Sequence, residues 1–449
     1  MKKLMAGAAI RSIDPTPEMI HALNTDPNTR YAYEGIGDPM FCRVTILSDG
    51  QEHFCILASD LSQCILTVEF LEELERKYGI DGCHVIGGGT RSHQTVSYQF
   101  GDRYGNYPPG AAVYYRYFHS VLLDTVGEAL SNLRPARIGA AVGESRINVS
   151  REYPSPIGTL ETQNHNAPEA PWLRVVKVES LDGEIISVLV NYSMHCCLLC
   201  WNDIIGEYKY TSGDVAGAVS QYVERYGKHK YPVSWIVGGG TDREPTIYSL
   251  LEHCAVDDNG EFYFKRNVMP IAAVRMLLEQ YAAEQGLDVI RTMQSITDMS
   301  EEFDFFFAQT TREVPAKKSL EARFRSLVTD DHVARYIPGM DTTPEPVDTP
   351  LLFRYRLAVL NGIAFAGING APYAALYKQM VDQMPVKVTM LFDDCFGSVS
   401  SIPTADAEEK GIYGHSTFQS KQLSARQGAE TFLDAFRQLG QEYLNSRKE

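Results

Sequence analysis

The feature that most restricts this chain is a repeated switch of its hydrophobic period, from two residues to about 3.6 and back. "FCRVTILSD" and "HFCILASD" read as paired strands joined by a turn at Asp49-Gly50. "LTVEFLEELERKYG" has helical spacing and stops at Gly79, and "CHVIGGG" is the next strand. "AAVYYRYFHSVLLDTVGEALSNL" reads as a long amphipathic helix closed by Arg134-Pro135. "WLRVVKVES" and "EIISVLVNYSMH" follow as strands around Asp182-Gly183. A helix in "DVAGAVSQYVERYG", a strand "VSWIVGGG" and a helix in "IAAVRMLLEQYAAEQG" come next. Further on, "LLFRYRLAVLNGIAFAGING" reads as a hairpin about Asn361-Gly362. The chain closes with a helix in "AALYKQMVDQM", a strand "VKVTMLF" and the helix "GAETFLDAFRQLGQEYL".

This alternation predicts an α/β protein, with mixed β-sheets flanked by helices. No linker divides the 449 residues, so a single domain spanning 1–449 is expected. One stretch, about 301–350, is less regular and reads as an excursion. It holds the aromatic run "FDFFF", the basic helix candidate "KKSLEARFRSLV" and the Pro/Asp/Thr-rich "PGMDTTPEPVDTP". "FDFFF" would be exposed unless something covers it.

Charge narrows the partners. A formal net charge of −16 repels nucleic acid and anionic lipid, so neither is an expected partner. A small-molecule or oligosaccharide substrate held in a local cationic pocket is compatible with it, as is a homo-oligomer. The nine cysteines are odd in number and lie mostly in apolar runs, which reads as free thiols in a reducing compartment. In "MKKLMAGAAIRSIDP", Arg11 and Asp14 come too early for a secretory apolar region. No apolar stretch approaches the ~20 residues of a membrane span. The expected location is the cytoplasm.

Four turns after apolar runs are candidate site elements: "GGGTRSHQTVS" with Arg91 and His93, the strand end at His195, "GGGTDREP" over Gly238 to Pro245, and "GINGAP" over Gly367 to Pro372. Strand ends grouped on one side of a sheet build pockets. Each glycine is equally explained by an ordinary turn. "HCCLLC" invites a soft-metal reading, but neighbours in a strand point to opposite faces. Cys197 and Cys200 have metal-like spacing without a second pair, so core cysteines are the expectation. In "GGGTDREP", Asp242 and Glu244 sit two apart and can share a face of an extended turn, as an acid/base carboxylate pair does. It lacks the Lys-Ser/Thr of a P-loop.

Taken together, "AGAAIRSIDPTP", "GIGDPMFCRVTILSDG", "CILASDLSQ", "GGTRSHQTVS", "LVNYSMH", "SGDVAG", "GGGTDREP", "GINGAP" and "SSIPTADAEEKGIY" resemble, in order, the catalytic domain of the neutral/alkaline ceramidase family. The resemblance implies that domain's fold, without the immunoglobulin-like C-terminal domain of secreted members. That family hydrolyses an amide with one zinc ion held by two histidines, a glutamate and a tyrosine. Carried over by motif, those four places fall on Arg91, His195, Ala371 and Ser401, so one ligand type in four is kept. His93 matches the family's second active-site histidine, and Tyr413 a tyrosine that contacts the scissile group.

The expectation is therefore a metal-independent enzyme with no cofactor and no metal ligands. Arg91 would stand where the resemblance places a cation. With Asp242, Arg243 and Glu244 it would bind a small polar anionic substrate, such as a uronic-acid glycoside. His93, His195 and Tyr413 would supply acid and base for elimination or hydrolysis. Two other readings stay open. One is an amide hydrolase with a metal site rearranged onto His93, His195, Asp242 and Glu244. The other is a non-catalytic binder that uses the inherited pocket, with Arg91 holding the ligand. The bland alternative for Arg91 itself is a pairing with Asp242 or Glu244 in a dead pocket.

Overall fold

The computed structural model describes residues 2–25, 33–64, 66–96, 109–155, 158–199, 209–246, 253–256, 262–265, 270–317, 346–395, 397–407 and 422–448. Two sheets carry the fold. The larger contains β1 (Met5–Ser12), β2 (Phe41–Ser48), β3 (His53–Ser59), β4 (Val85–Gly88), β5 (Arg134–Glu144), β6 (Trp172–Ser180), β7 (Ile185–Tyr192) and β8 (Val233–Val237). Its spatial order is β8-β7-β6-β5-β1-β2-β3-β4. Only β7–β8 and β3–β4 pair in parallel. The smaller sheet runs β9 (Phe305–Lys317), β10 (Pro346–Leu360), β11 (Ile363–Ile368) and β12 (Val388–Phe392), in that order.

Helices α1 (Pro17–Thr25), α2 (Val68–Tyr78), α3 (Pro109–Ser131), α4 (Asp214–Tyr226) and α5 (Ile271–Gln294) belong to the larger sheet's part of the chain. Helices α6 (Ala374–Gln383) and α7 (Ala425–Ser446) belong to the smaller one's. Alternating side chains sort the layers. On β2, Val44 and Ile46 meet Tyr114, Phe118 and Leu122 of α3. On β7, Val188 and Val190 share a cluster with Val215 and Val219 of α4 and Leu278 of α5. The opposite face, with Phe54, Ile56, Leu189 and Ile236, packs on Leu360, Phe365, Met390 and Phe392 of the smaller sheet. That sheet's outer face, with Leu357, Val359, Ala364 and Leu391, is covered by Leu376 and Met380 of α6 and by Phe432 and Phe436 of α7. The order of layers is helix, sheet, sheet, helix. Strands buried on both faces explain the near-continuous apolar runs of the sequence.

The larger sheet curls. Among the described residues the ladder between its halves is short, Met5 and Ala6 pairing with Pro135 and Arg134. Its outer edges then come back together, where Val237 N–H donates to Gly89 C=O at 3.1 Å. This closure brings the ends of β4 and β8 side by side.

The expected excursion at about 301–350 is corrected at both ends. Phe305–Lys317 is a strand paired in antiparallel register with Pro346–Leu360. The run "FDFFF" is covered, because period two puts Phe305 and Phe307 against Phe54 and His84, with Phe303 stacked on Phe305, while Phe306 turns to Tyr443. The polar stretch Gln309 to Glu313 that follows the aromatics of β9 hid its strand character. The basic helix candidate and most of the Pro/Asp/Thr-rich stretch lie outside the described residues. Cys42, Cys55, Cys64, Cys196, Cys197 and Cys395 are buried and form no disulfide among the described residues. Among the described residues no helix is long and apolar enough to cross a membrane.

Candidate active site

The four singled-out turns converge. Gly238 N–H donates to Tyr192 C=O at 3.1 Å, and His195 N–H to Arg243 C=O at 2.9 Å. Thr241 Oγ1 donates to Ala371 C=O at 2.9 Å, and Asp394 N–H to Gly370 C=O at 3.0 Å. The ends of β4, β7, β8, β11 and β12 thus form one floor.

Arg91 sits on that floor with φ 55°, a left-handed conformation rare for a long side chain. Its N–H is tied to Ser62 C=O at 3.0 Å. Its guanidinium Nη2 donates to Asp394 Oδ2 at 2.5 Å, with the side chains 13% and 2% exposed. Arg91, expected to face a substrate anion or, in the bland alternative, Asp242 or Glu244, is paired with Asp394. Beside it, Asp393 accepts from Gly239 and Gly240 amides at 3.0 and 3.3 Å. Burial pushes the Asp393 carboxyl up to about 8, against the pull of Arg91 and the Gly239 amide, with Asp394 pushing the same way as burial. Gly239 must be glycine, since its φ is +63° and a Cβ would lie 2.5 Å from Tyr377 Cβ.

His93 and His195 face each other, with Nε2 to Nε2 at 2.8 Å and rings nearly perpendicular at 76°. His195 follows β7, held by the Arg243 carbonyl, while Ser193 next to it donates to Gly238 C=O at 2.7 Å. His93 lies on the β4 loop, braced by Thr90 on Leu61 C=O and by Gln94 on Tyr210 C=O. Cys197 joins them: its thiol donates to Arg91 C=O at 3.8 Å. The donor atoms of His93, His195 and Cys197 all lie within 4.8 Å of one another. Cys197 is buried, as expected of a core cysteine, and its thiol in addition approaches the two histidines, while Cys196 packs in the apolar core beside α4. Cys200 lies outside the described residues.

Asp242, Arg243 and Glu244 are buried behind this floor. Asp242 accepts from Ala374 N–H at 2.7 Å, at the start of α6, and pairs with Arg243 Nε at 3.2 Å. The negative charge at a helix N-terminus is structural. Arg243 also lines a polar cleft of about 180 Å³, with Asn148, Ser150, Asn164, His165 and Thr246. Tyr413 lies outside the described residues.

Three acidic residues carry no signal among the four turns. "FDDC" places Asp393 and Asp394 just past an apolar strand, the same criterion that selected the four turns. Glu152, hydrogen-bonded by Tyr373, gave no such signal. Burial, helped by Asp242, pushes the Glu152 carboxyl up to about 7.

The zinc positions implied by the resemblance do not fit a zinc ion. Arg91 is a cation already tied to Asp394, and Ala371 has no donor atom. Ser401 stands opposite Ala371 in a two-residue parallel pairing.

The fold itself is ceramidase-like. The chain superposes on the neutral ceramidase of Pseudomonas aeruginosa with a TM-score of 0.67 at 11% identity, over 98% of this chain and 75% of that one. A structure described as a ceramidase complexed with C2 gives 0.68 at 10% identity, over 98% and 76%. No protein-family model matches the sequence, and no curated protein matches it.

Proposed function

We propose that this ceramidase-like chain is a metal-independent acid/base enzyme that cleaves a small polar, anionic substrate. The observation that carries the reading is the direct 2.8 Å contact between His93 and His195. In such a contact one ring nitrogen holds the proton and the other accepts it. A substrate hydroxyl or a water entering between the rings replaces that bond. It gives its proton to the accepting ring and receives a hydrogen bond from the other. The pair then works as base and acid, as cleavage of a glycosidic or acyl bond requires.

Arg91 supports the site through Asp394, and Arg243 supports it through the carbonyl that holds His195, while the polar cleft that Arg243 also lines includes none of Arg91, His93 and His195. A uronic-acid glycoside is the first candidate, because neutralising its carboxylate acidifies the neighbouring C–H. Tyr413 keeps its proposed role as a further acid.

The test is turnover by chelator-treated protein on a panel of uronides and glycosides. Wild type should be active, and His93→Asn and His195→Asn should each lose about 10²–10⁴-fold. An inactive wild type on the whole panel overturns the reading. A second reading, metal-assisted amide hydrolysis, is favoured by one observation, the approach of Cys197 to both histidines. It requires that activity on N-acyl amides appear only when a divalent metal is added.

A further inference from the structure

We infer that His93, His195 and Cys197 form a chelating site for one thiophilic divalent ion of the zinc type, and that filling it switches off the histidine couple. The first half stands on geometry alone, and the second rests on the proposed function. Three donors converge within 4.8 Å, two from imidazoles and one from a thiol. His195 and Cys197 are 4% and 3% exposed, so the set is walled from bulk water on the strand side.

A tetrahedral ion with ligand bonds of about 2.0–2.3 Å holds two imidazole nitrogens about 3.3 Å apart. Nε2 to Nε2 is 2.8 Å here, so the rings need to separate by only about half an ångström. Sulfur with imidazole selects zinc- or copper-like ions over magnesium or calcium. Three protein ligands leave a fourth position for solvent or ligand.

The set is not the one implied by the resemblance. It shares only His195 with those four positions, and it replaces oxygen donors by sulfur. Cys197 reaches it because its thiol rests on the carbonyl of Arg91, whose left-handed backbone turns that carbonyl toward β7's end.

Binding and proton transfer exclude one another. The ion takes the lone pair of both Nε2 atoms, so the ring that donated shifts its proton to Nδ1, both rings stay neutral, and neither Nε2 can then accept or donate a proton. The thiol also releases its proton on binding.

The experiment titrates metal-stripped, full-length protein with Co²⁺ and then Zn²⁺. One equivalent of Co²⁺ should give tetrahedral visible bands and a sulfur-to-cobalt charge-transfer band, and Zn²⁺ should bleach both and raise the melting temperature. Cys197→Ser, folded by circular dichroism, should lose the charge-transfer band and weaken binding beyond the ~10–100-fold typical of outer-shell losses. His195→Asn should abolish binding. Absence of stoichiometric binding, or Cys197→Ser binding Co²⁺ as wild type does, overturns the site and leaves the acid/base reading standing. Added Zn²⁺ should inhibit uronide turnover in proportion to occupancy. Binding with unchanged turnover overturns the switch. Binding with turnover that needs the ion overturns the metal-independent function and leaves the site intact.

Discussion

Replacing Arg91 by methionine tests the electrostatics of the candidate site. The substitution keeps the volume of the stem and removes the guanidinium that bonds Asp394 at 2.5 Å. Asp393 and Asp394, each 2% exposed, are then left side by side without a cation. Breaking a buried pair by removing one partner costs about 3–5 kcal/mol. Globular proteins unfold with about 2.1 cal/mol/K of entropy per residue, so a chain of 449 residues has about 0.9 kcal/mol/K. The expected fall in melting temperature is thus about 3–5 °C near neutral pH. The sign with pH follows from Asp393, whose folded value stands at about 8, above the ordinary 3.8. A raised carboxyl gives stability that is complete below pH 3.8 and is lost as pH rises through 8. Removing the cation that pulls Asp393 down raises it further, so the deficit of Arg91→Met should be larger at pH 8 than at pH 5. The assay is differential scanning calorimetry of wild type, Arg91→Met and Arg91→Met/Asp394→Asn at both pH values. The double variant should recover most of the loss, because no unpaired charge remains at Asp394. A melting temperature within 1 °C of wild type at pH 8 (about 1 kcal/mol on this scale), or no recovery in the double variant, would refute the argument.

Three other outcomes follow from the same physics. Arg43 is wholly buried between Asp60 and Glu224, at 2.7 Å from each, so Arg43→Met should cost about 3–5 kcal/mol in urea unfolding. The Glu152 carboxyl is raised from 4.5 to about 7, so its contribution to stability is lost as pH rises from 4.5 through 7. Glu152→Gln should flatten that part of the stability–pH curve, and an unchanged slope would show that Glu152 does not titrate there. Gly239→Ala should lower stability by about 1–3 kcal/mol, since it combines a positive φ with a 2.5 Å approach to Tyr377, and an unchanged urea midpoint would contradict that account.

Much of the fold was legible because its signals are local. The turn at Asn361-Gly362, with φ of 52° and 76°, closes the predicted hairpin. Helix α2 starts on Thr67, whose side chain accepts from Phe70 N–H, and ends on Gly79 in the left-handed region. β9 was missed because its exposed face is polar and its partner β10 lies beyond residues 318–345, so the pattern had no neighbour in sequence to support it. At the site, the motif residues were legible but their partners were not. The bland alternative for Arg91, a pairing with Asp242 or Glu244, fails because Asp242 is taken by the start of α6 and Arg91 is paired with Asp394 instead. Cys197 is buried as its apolar surroundings in sequence imply, but nothing local in "HCC" says that its thiol meets His93 on the β4 loop.

The sequence alone determined the period of each element, its turns, the acidic surface and the histidine-bearing strand ends, because those depend on residues within one or two turns of each other. Tertiary structure alone decided which strand ends meet. His93 and His195 are 102 residues apart, and Arg91 and Asp394 are 303 apart. Their contacts exist because the larger sheet curls until β8 reaches β4, and because the apolar faces of the two sheets are buried against each other. Sheet curvature and face-to-face burial are summed over the whole core, so no short stretch of the chain encodes them.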